Sequence, residues 1–238
     1  MFWGAPLVAR ELETGTYRLA WTQGISRTRW LVAKLVFVGL ITAVAAGLLA
    51  LMTTWWSSPI DAVFQNRMTP SVFGERGIVP MGYAVMSFAL GVTAGVVIRR
   101  TVAAMAAALA AFVGLRLALI YWVRPHIFTP VTKSVVPQLG GVVTPDTSVA
   151  PIGSWVLSNE FVDRAGRVVG SPGRFAEISL QGKNHEFVIP GHGLIHQVIT
   201  YLPLSRYWQL QGVETAICLA VAVALGAASV WWVRHRVA

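Results

Sequence analysis

The sequence predicts an all-α polytopic membrane protein of about four transmembrane helices, with a small mixed α/β extracytoplasmic domain inserted before the last helix. Three observations predict it. Residues 35–60, 77–98 and 215–233 carry no charged side chain, and residues 101–123 carry one, Arg116. Each stretch approaches or exceeds the about 20 apolar helical residues needed to cross a hydrocarbon core of roughly 30 Å. The apolar runs are continuous rather than alternating, which selects helices over barrel strands. Mean hydropathy is +0.61, far above what one buried helix in a soluble domain would give.

The elements follow in chain order. Met1 to Ala9 is apolar but too short to cross. It reads as the tail of a hydrophobic segment or a short re-entry into the interface. Residues 1–30 form a cytoplasmic segment in which Leu12, Thr16, Leu19 and Ala20 share one helical face, so a short amphipathic helix is expected over about residues 10 to 21. Gln23-Gly24 stops it, and Ser26 caps the next helix. Residues 31–123 hold three spans with an external loop at 57–79. Residues 124–208 form the extracytoplasmic domain, and 209–238 the last span and a short cytoplasmic tail. Trp30, Trp55-Trp56, Tyr121-Trp122, Tyr207-Trp208 and Trp231-Trp232 sit at the span ends, the headgroup level that amphipathic rings favour.

Within the outer domain, Trp155–Leu157, Phe161-Val162 and Arg167–Val169 read as short strands, turned at Asp163–Gly166, with His185–Ile189 as another.

Charge sets the expected orientation. Arg10, Arg18, Arg27, Arg29 and Lys34 precede the first span, Arg99 and Arg100 join the second and third, and Arg234 and Arg236 follow the fourth. Only Glu11 and Glu13 oppose them. The positive-inside rule places these segments and both termini in the cytoplasm. The net charge of +9 is therefore a topology signal and no argument for nucleic acid. The lone Cys218 lies in the last span and cannot form an intrachain disulfide.

Small residues suggest close helix packing. Gly39, Ala43 and Gly47 recur in the first span, and Gly91 and Gly95 form a GxxxG in the second. Arg116 and Glu214 stand at matched depth within spans three and four. Either they form an intramembrane ion pair, or Arg116 snorkels to the headgroups and Glu214 sits in the interface.

Catalytic, cofactor and metal constellations are not found. There is no GxxxxGK[ST] loop to cradle nucleotide phosphates and no GxSxG. His192 and His196 have the spacing of a helix face, but neighbouring Pro190, Gly191 and Gly193 break a helix and no further ligand completes a set.

One segment resembles a known family. Glu11-x-Glu13-x-Gly15-Thr16, Ser26-Arg27 and Lys34 opening a span look like the cytoplasmic loop of ABC-2-type transporter permeases. Ser58-Pro59-x-Asp61, Gly77-Ile78-Val79-Pro80-x-Gly82-Tyr83, Arg99-Arg100-Thr101 and Arg206-Tyr207-Trp208-x-x-Gln211-x-x-Glu214 extend the likeness over nearly the whole chain. Gln23-Gly24-Ile25 stands where many members place a Pro before the Ser-Arg pair. The resemblance implies six spans per permease, of which the first two would be missing here.

It also implies a permease subunit of a bacterial cell-membrane exporter, not itself an enzyme. The implied partners are a second permease subunit, in a homo- or heterodimer, and a separate cytoplasmic ABC ATPase. Glu11, Glu13, Gly15, Thr16, Arg18, Ser26 and Arg27 would then lie in the ATPase-coupling loop. The alternative reading is a non-transporting anchor presenting residues 124–208 to an external ligand or protein; an intramembrane enzyme ranks third for want of a catalytic set.

Overall fold

The computed structural model describes residues 4–14, 26–64, 66–135, 150–163, 165–170, 188–189, 193–194 and 196–236. The helices are α1 (Gly4–Thr14), α2 (Arg27–Phe64), α3 (Pro70–Phe73), α4 (Val79–Ile98), α5 (Thr101–Ala118), α6 (Arg124–Ile127) and α7 (Tyr207–Arg236). The strands are β1 (Val131–Val135), β2 (Trp155–Val162), β3 (Val168–Gly170), β4 (Val188–Ile189), β5 (Gly193–Leu194) and β6 (His196–Leu202). Four helical stretches, Thr28–Asp61, Val79–Ile98, Thr101–Ile127 and Leu204–Arg236, are long and apolar enough to cross a membrane.

The chain divides into two compact units. Unit 1 comprises Met1–Ser58, Phe73–Arg124 and Trp208–Ala238; unit 2 comprises Pro59–Val72 and Pro125–Tyr207.

In unit 1, α4 is the central helix, with more than half of its length buried, while the other three spans expose most of theirs. On α2, Val36, Phe37, Leu40, Leu51 and Met52 are exposed; such a surface is tolerable in lipid, which is as apolar as the side chains themselves. Glycines bring the spans against α4. Gly39 and Gly47 of α2 lie over Phe88 and Met81, and a Cβ on Gly82 would stand 3.2 Å from the Cα of Thr215 on α7. Trp30, Leu31, Phe88, Val92, Val96 and Val233 fill the space between α2, α4 and α7. Thr93 and Ser229 add a hydroxyl bridge of 2.9 Å between α4 and α7.

Unit 2 carries a four-stranded antiparallel sheet in the order β1-β6-β2-β3, and β4 pairs with β5. On β6, Gln197, Ile199 and Tyr201 are buried while the residues between them are less so, the alternation of a strand with one covered face. Ala150, Ile199 and Tyr201 form its core with Val156. The β2–β3 turn holds because Asp163 accepts from the backbone N–H groups of Ala165 and Arg167 at 2.8 and 2.9 Å, and Gly166 takes φ +78°. Those bonds, that of the Arg167 backbone first, hold the Asp163 carboxyl below the usual range.

Several expectations change. The region 57–79 is not simply a loop, because α2 runs on to Phe64 through Pro59. Pro59 cannot donate to the Trp55 carbonyl four residues back; the Ser58 hydroxyl donates to that carbonyl instead, at 2.8 Å. A helix, α1, covers Gly4–Thr14 and so includes the start of the helix expected over residues 10 to 21; the remainder of that helix, with all of residues 15–25, lies outside the described residues. Trp155–Leu157 and Phe161-Val162 are one strand, bulged between Val156 and Ser158. Strands β1 and β6 were not anticipated. Of His185–Ile189 only β4 is described, His192 lies outside the described residues, and His196 opens a strand, so no helix face joins the two histidines. Ser26 does cap α2, accepting from the Arg29 N–H at 3.3 Å.

Candidate functional site

The strongest polar feature of unit 1 is a buried cluster at the end where α4 and α7 begin and α5 finishes. It is built from α7 outward. Gln211 and Glu214, three residues apart, occupy one helical face, and both are fully buried. Glu214 accepts from Arg124 twice, Nε to Oε2 at 2.9 Å and Nη2 to Oε1 at 2.8 Å, and the Tyr83 hydroxyl donates to Oε1. The Arg124 and Glu214 side chains are 1% and 0% exposed. Arg124 also lies 4.2 Å from the centre of the Phe73 ring. A bidentate, hydrogen-bonded pair of this kind can offset the large desolvation cost of two buried charges.

Gln211 uses all four of its hydrogen-bonding positions. Its Oε1 accepts the N–H groups of Ile78 and Val79 at 3.0 and 2.9 Å, and its Nε2 donates to the carbonyls of Phe73 and Arg76, both at 3.1 Å. The first turn of α4 has orphan N–H groups and no side-chain cap of its own; Gln211 supplies the cap from α7. Gly77 makes the bend into that turn with φ +70°.

The expected Arg116–Glu214 pair is not formed, and Arg124 takes the carboxylate instead. The physical reason lies in the backbone. Residues Leu119–Val123 form one π-helical turn, which contains an extra residue and rotates the next turn relative to a straight α-helix. Pro125 promotes it, having no N–H for the preceding turn. Arg124 thereby reaches the inside, and Arg116 lies 5.3 Å from the centre of the Tyr83 ring.

A second polar contact sits at the opposite end of unit 1, where α4 ends and α5 begins. Glu13 of α1 accepts from the Thr101 hydroxyl at 2.7 Å and the Thr101 N–H at 3.3 Å. It caps α5, whose N-cap residue Arg100 makes no side-chain cap. The Thr101 hydroxyl is the main cause holding the Glu13 carboxyl below its usual range. The α4–α5 link is tight: Arg99 adopts the left-handed φ of 57° and donates its N–H to Gly95, and its side chain donates to the Arg236 carbonyl at 3.2 Å. Helix α1 lies close on α4. A Cβ on Gly95 would stand 2.9 Å from the Ala5 carbonyl oxygen, and one on Gly4 2.5 Å from that of Phe88. Gly91 is buried on the same helix.

Of the coupling-loop residues, Glu11 and Arg27 are placed by their backbones, in α1 and α2, and Gly15, Thr16 and Arg18 lie outside the described residues. Among the described residues no group of three His, Cys, Asp or Glu side chains is arranged to hold a metal.

Four helices long and apolar enough to cross a membrane, with a buried ion pair at one end of the unit and a capped turn at the other, fit a polytopic helical membrane protein. Residues 1–124 of the 238 match the family described as ABC-2 membrane transporter related, and the chain belongs to that family. No curated protein and no solved structure matches the chain. It is an ABC-2-type permease-related membrane protein, and so a component related to membrane transporters.

Proposed function

We propose that this chain is the membrane-spanning permease subunit of an ABC exporter in the bacterial cytoplasmic membrane. It would work with a second permease subunit and draw its energy from a separate cytoplasmic ATPase. The observation that carries the reading is the family match over residues 1–124, which takes in α1 and three spans together. With no phosphate-binding loop in the sequence, ATP hydrolysis is assigned to the partner, and the chain itself is not an enzyme. The Glu13 end, with Arg99, Arg100, Arg234 and Arg236, is assigned to the cytoplasm by the positive-inside rule, which assigns the sequence between the third and fourth spans, residues 124–208, to the outside.

The geometry supports a route for force. Helix α1 is seated on α4 at Gly95 and bonded to α5 through Glu13. A partner that moves the end of α1, residues 10–14, in one nucleotide state therefore moves the α4–α5 turn. A ligand shifts an equilibrium only through contacts that differ between states, so the partner must bind this segment differently with and without ATP. The test is purification of the tagged chain from its native membranes. A soluble ATPase with a GxxxxGK[ST] loop should come with it, and Arg18→Ala should weaken that association without lowering membrane yield. If no ATPase accompanies the chain, the reading as an anchor for the 124–208 domain takes its place.

A further inference from the structure

Among the described residues, the candidate spanning helices place two guanidinium groups, Arg116 and Arg124, and one carboxylate, Glu214, at the Tyr83 end of unit 1. Glu214 has both oxygens engaged by Arg124, and Oε1 also receives the Tyr83 hydroxyl. Arg116 is the cation left over. Among the described residues it forms no ion pair. It is half-buried, and its one described contact with another charged or aromatic side chain is the Tyr83 ring. A ring face attracts a cation but does not neutralise it. An arginine on a membrane-spanning helix stays charged and must find water or an anion.

The surroundings of Arg116 are fixed in place. The Tyr83 ring is anchored through its hydroxyl to Glu214. The facing backbone at Gly74 is flanked by the carbonyls of Phe73 and Arg76, both held by Gln211. Gly74 has no side chain, and a Cβ there would stand 3.3 Å from Arg116 Nη2 and 3.2 Å from Tyr83 Cε2. The bare glycine thus leaves room for the guanidinium fork beside the ring. Glu75, the neighbouring acid, is exposed and makes no described ion pair.

From this arrangement we infer that Arg116, framed by Tyr83 and Gly74, is an anion site that takes a phosphate group. The planar fork matches two phosphate oxygens with parallel N–H···O bonds. The phosphate comes either from a lipid headgroup or from a phosphate ion in water, and both would make the same contact.

The test uses the full chain in neutral detergent and reads its thermal unfolding. Phosphatidylglycerol, phosphatidylcholine and inorganic phosphate are added separately, with chloride keeping ionic strength constant. Phosphatidylglycerol should raise the midpoint by several degrees while phosphatidylcholine does not. Arg116→Gln should abolish that rise, Arg116→Lys should keep part of it, and Arg234→Gln, at the other end of α7, should keep it whole. An equal rise with inorganic phosphate identifies an aqueous anion; a rise with the anionic lipid alone identifies a headgroup.

The inference falls if neither anion shifts the wild-type midpoint, or if Arg116→Gln responds as the wild type does. It also falls if Glu75→Gln and Arg116→Gln lower the midpoint equally and non-additively, since Arg116 would then be paired within the chain. Should Arg116→Gln not fold, the wild-type titration and Arg116→Lys decide alone.

Discussion

Glu214 can be satisfied bidentately by one arginine, and Arg124 holds that place. Removing either partner strands a buried charge, so Arg124→Gln and Glu214→Gln should each cost about 3–5 kcal/mol in detergent unfolding. The double variant should lose less than the sum. Arg116→Gln should instead be additive with Glu214→Gln, because the two do not interact directly. Coupling between Arg116 and Glu214 as strong as that between Arg124 and Glu214 would contradict the pairing. Gln211→Leu removes partners from four backbone groups at once, and with several left unsatisfied the loss should be on the order of 3 kcal/mol. A loss below about 1 kcal/mol would mean that water or relaxation replaces those bonds. In the sequence, Gln211-x-x-Glu214 was readable as a polar face entering a span, and the carboxylate's need for an arginine followed from its depth. Which arginine was not readable. Matched depth points to Arg116, and the choice of Arg124 depends on a π turn that no periodicity announces. Pro125, just past an arginine, was the available hint.

At the scale of elements, α1 is the sharpest case. Its residues Ala5 and Ala9 are buried with Ala104, and Gly95 admits its backbone within 2.9 Å of the site of a Cβ. Gly95→Leu must push α1 away, because the obstacle is backbone rather than a flexible side chain. Hydrogen exchange across residues 4–14 should rise strongly while α4 and α7 stay protected; unchanged exchange would show that α1 is held by other contacts. Glu13 offers a pH test of the same joint. Its folded carboxyl is depressed, chiefly by the Thr101 hydroxyl. The stability it contributes is therefore fully present above the ordinary carboxylate range and is lost as pH falls through the lower folded value. Protection of α1, taken relative to the intrinsic exchange rate at each pH, should fall in acid in the wild type, and Glu13→Gln should show the lower protection already at neutral pH with a flatter acid response. A wild-type acid response that survives Glu13→Gln would assign the effect elsewhere.

Gly95 of α4 faces α1, a contact not legible in the sequence, where Met1 to Ala9 reads as apolar and too short to cross. Tertiary contact with α4 and α5, not propensity, makes the eleven residues of α1 a helix. Likewise the Ser58 hydroxyl that carries α2 past Pro59 is a local bond, and a proline in sequence ordinarily signals a stop. Strand β6 was open to reading, since Gln197, Ile199 and Tyr201 alternate, but Gln at a buried position masks the pattern; its burial is offset by the 3.0 Å bond from Gln197 to Asn159.

For the molecule as a whole, orientation is the property on which the proposed function turns. The candidate spans were legible because continuous apolar length is a direct consequence of bilayer thickness, and each of the four stretches falls on one of the four helices long and apolar enough to cross. The side on which each end lies rests on charge alone: Arg10, Arg18, Arg27, Arg29, Lys34, Arg99, Arg100, Arg234 and Arg236 against Glu11 and Glu13. Two features fit one assignment. The Arg99 side chain meets the Arg236 carbonyl, so the α4–α5 turn and the end of α7 share a side, and Glu13 joins α1 to the same turn. Single cysteines at Gly24, Ala165 and Arg236, in a Cys218→Ala background, should therefore divide two against one when intact cells meet a membrane-impermeant thiol reagent. Ala165 is preferred to Gly166, whose φ of +78° disfavours a side chain. Cysteine at 165 should be labelled in intact cells, and those at 24 and 236 only after permeabilisation. The reverse pattern would put the α1 joint outside, beyond the reach of any cytoplasmic ATPase, and the permease reading could not stand. Labelling of residues 24 and 236 on opposite sides would mean an odd number of crossings, and one of the four helices would then lie outside the bilayer.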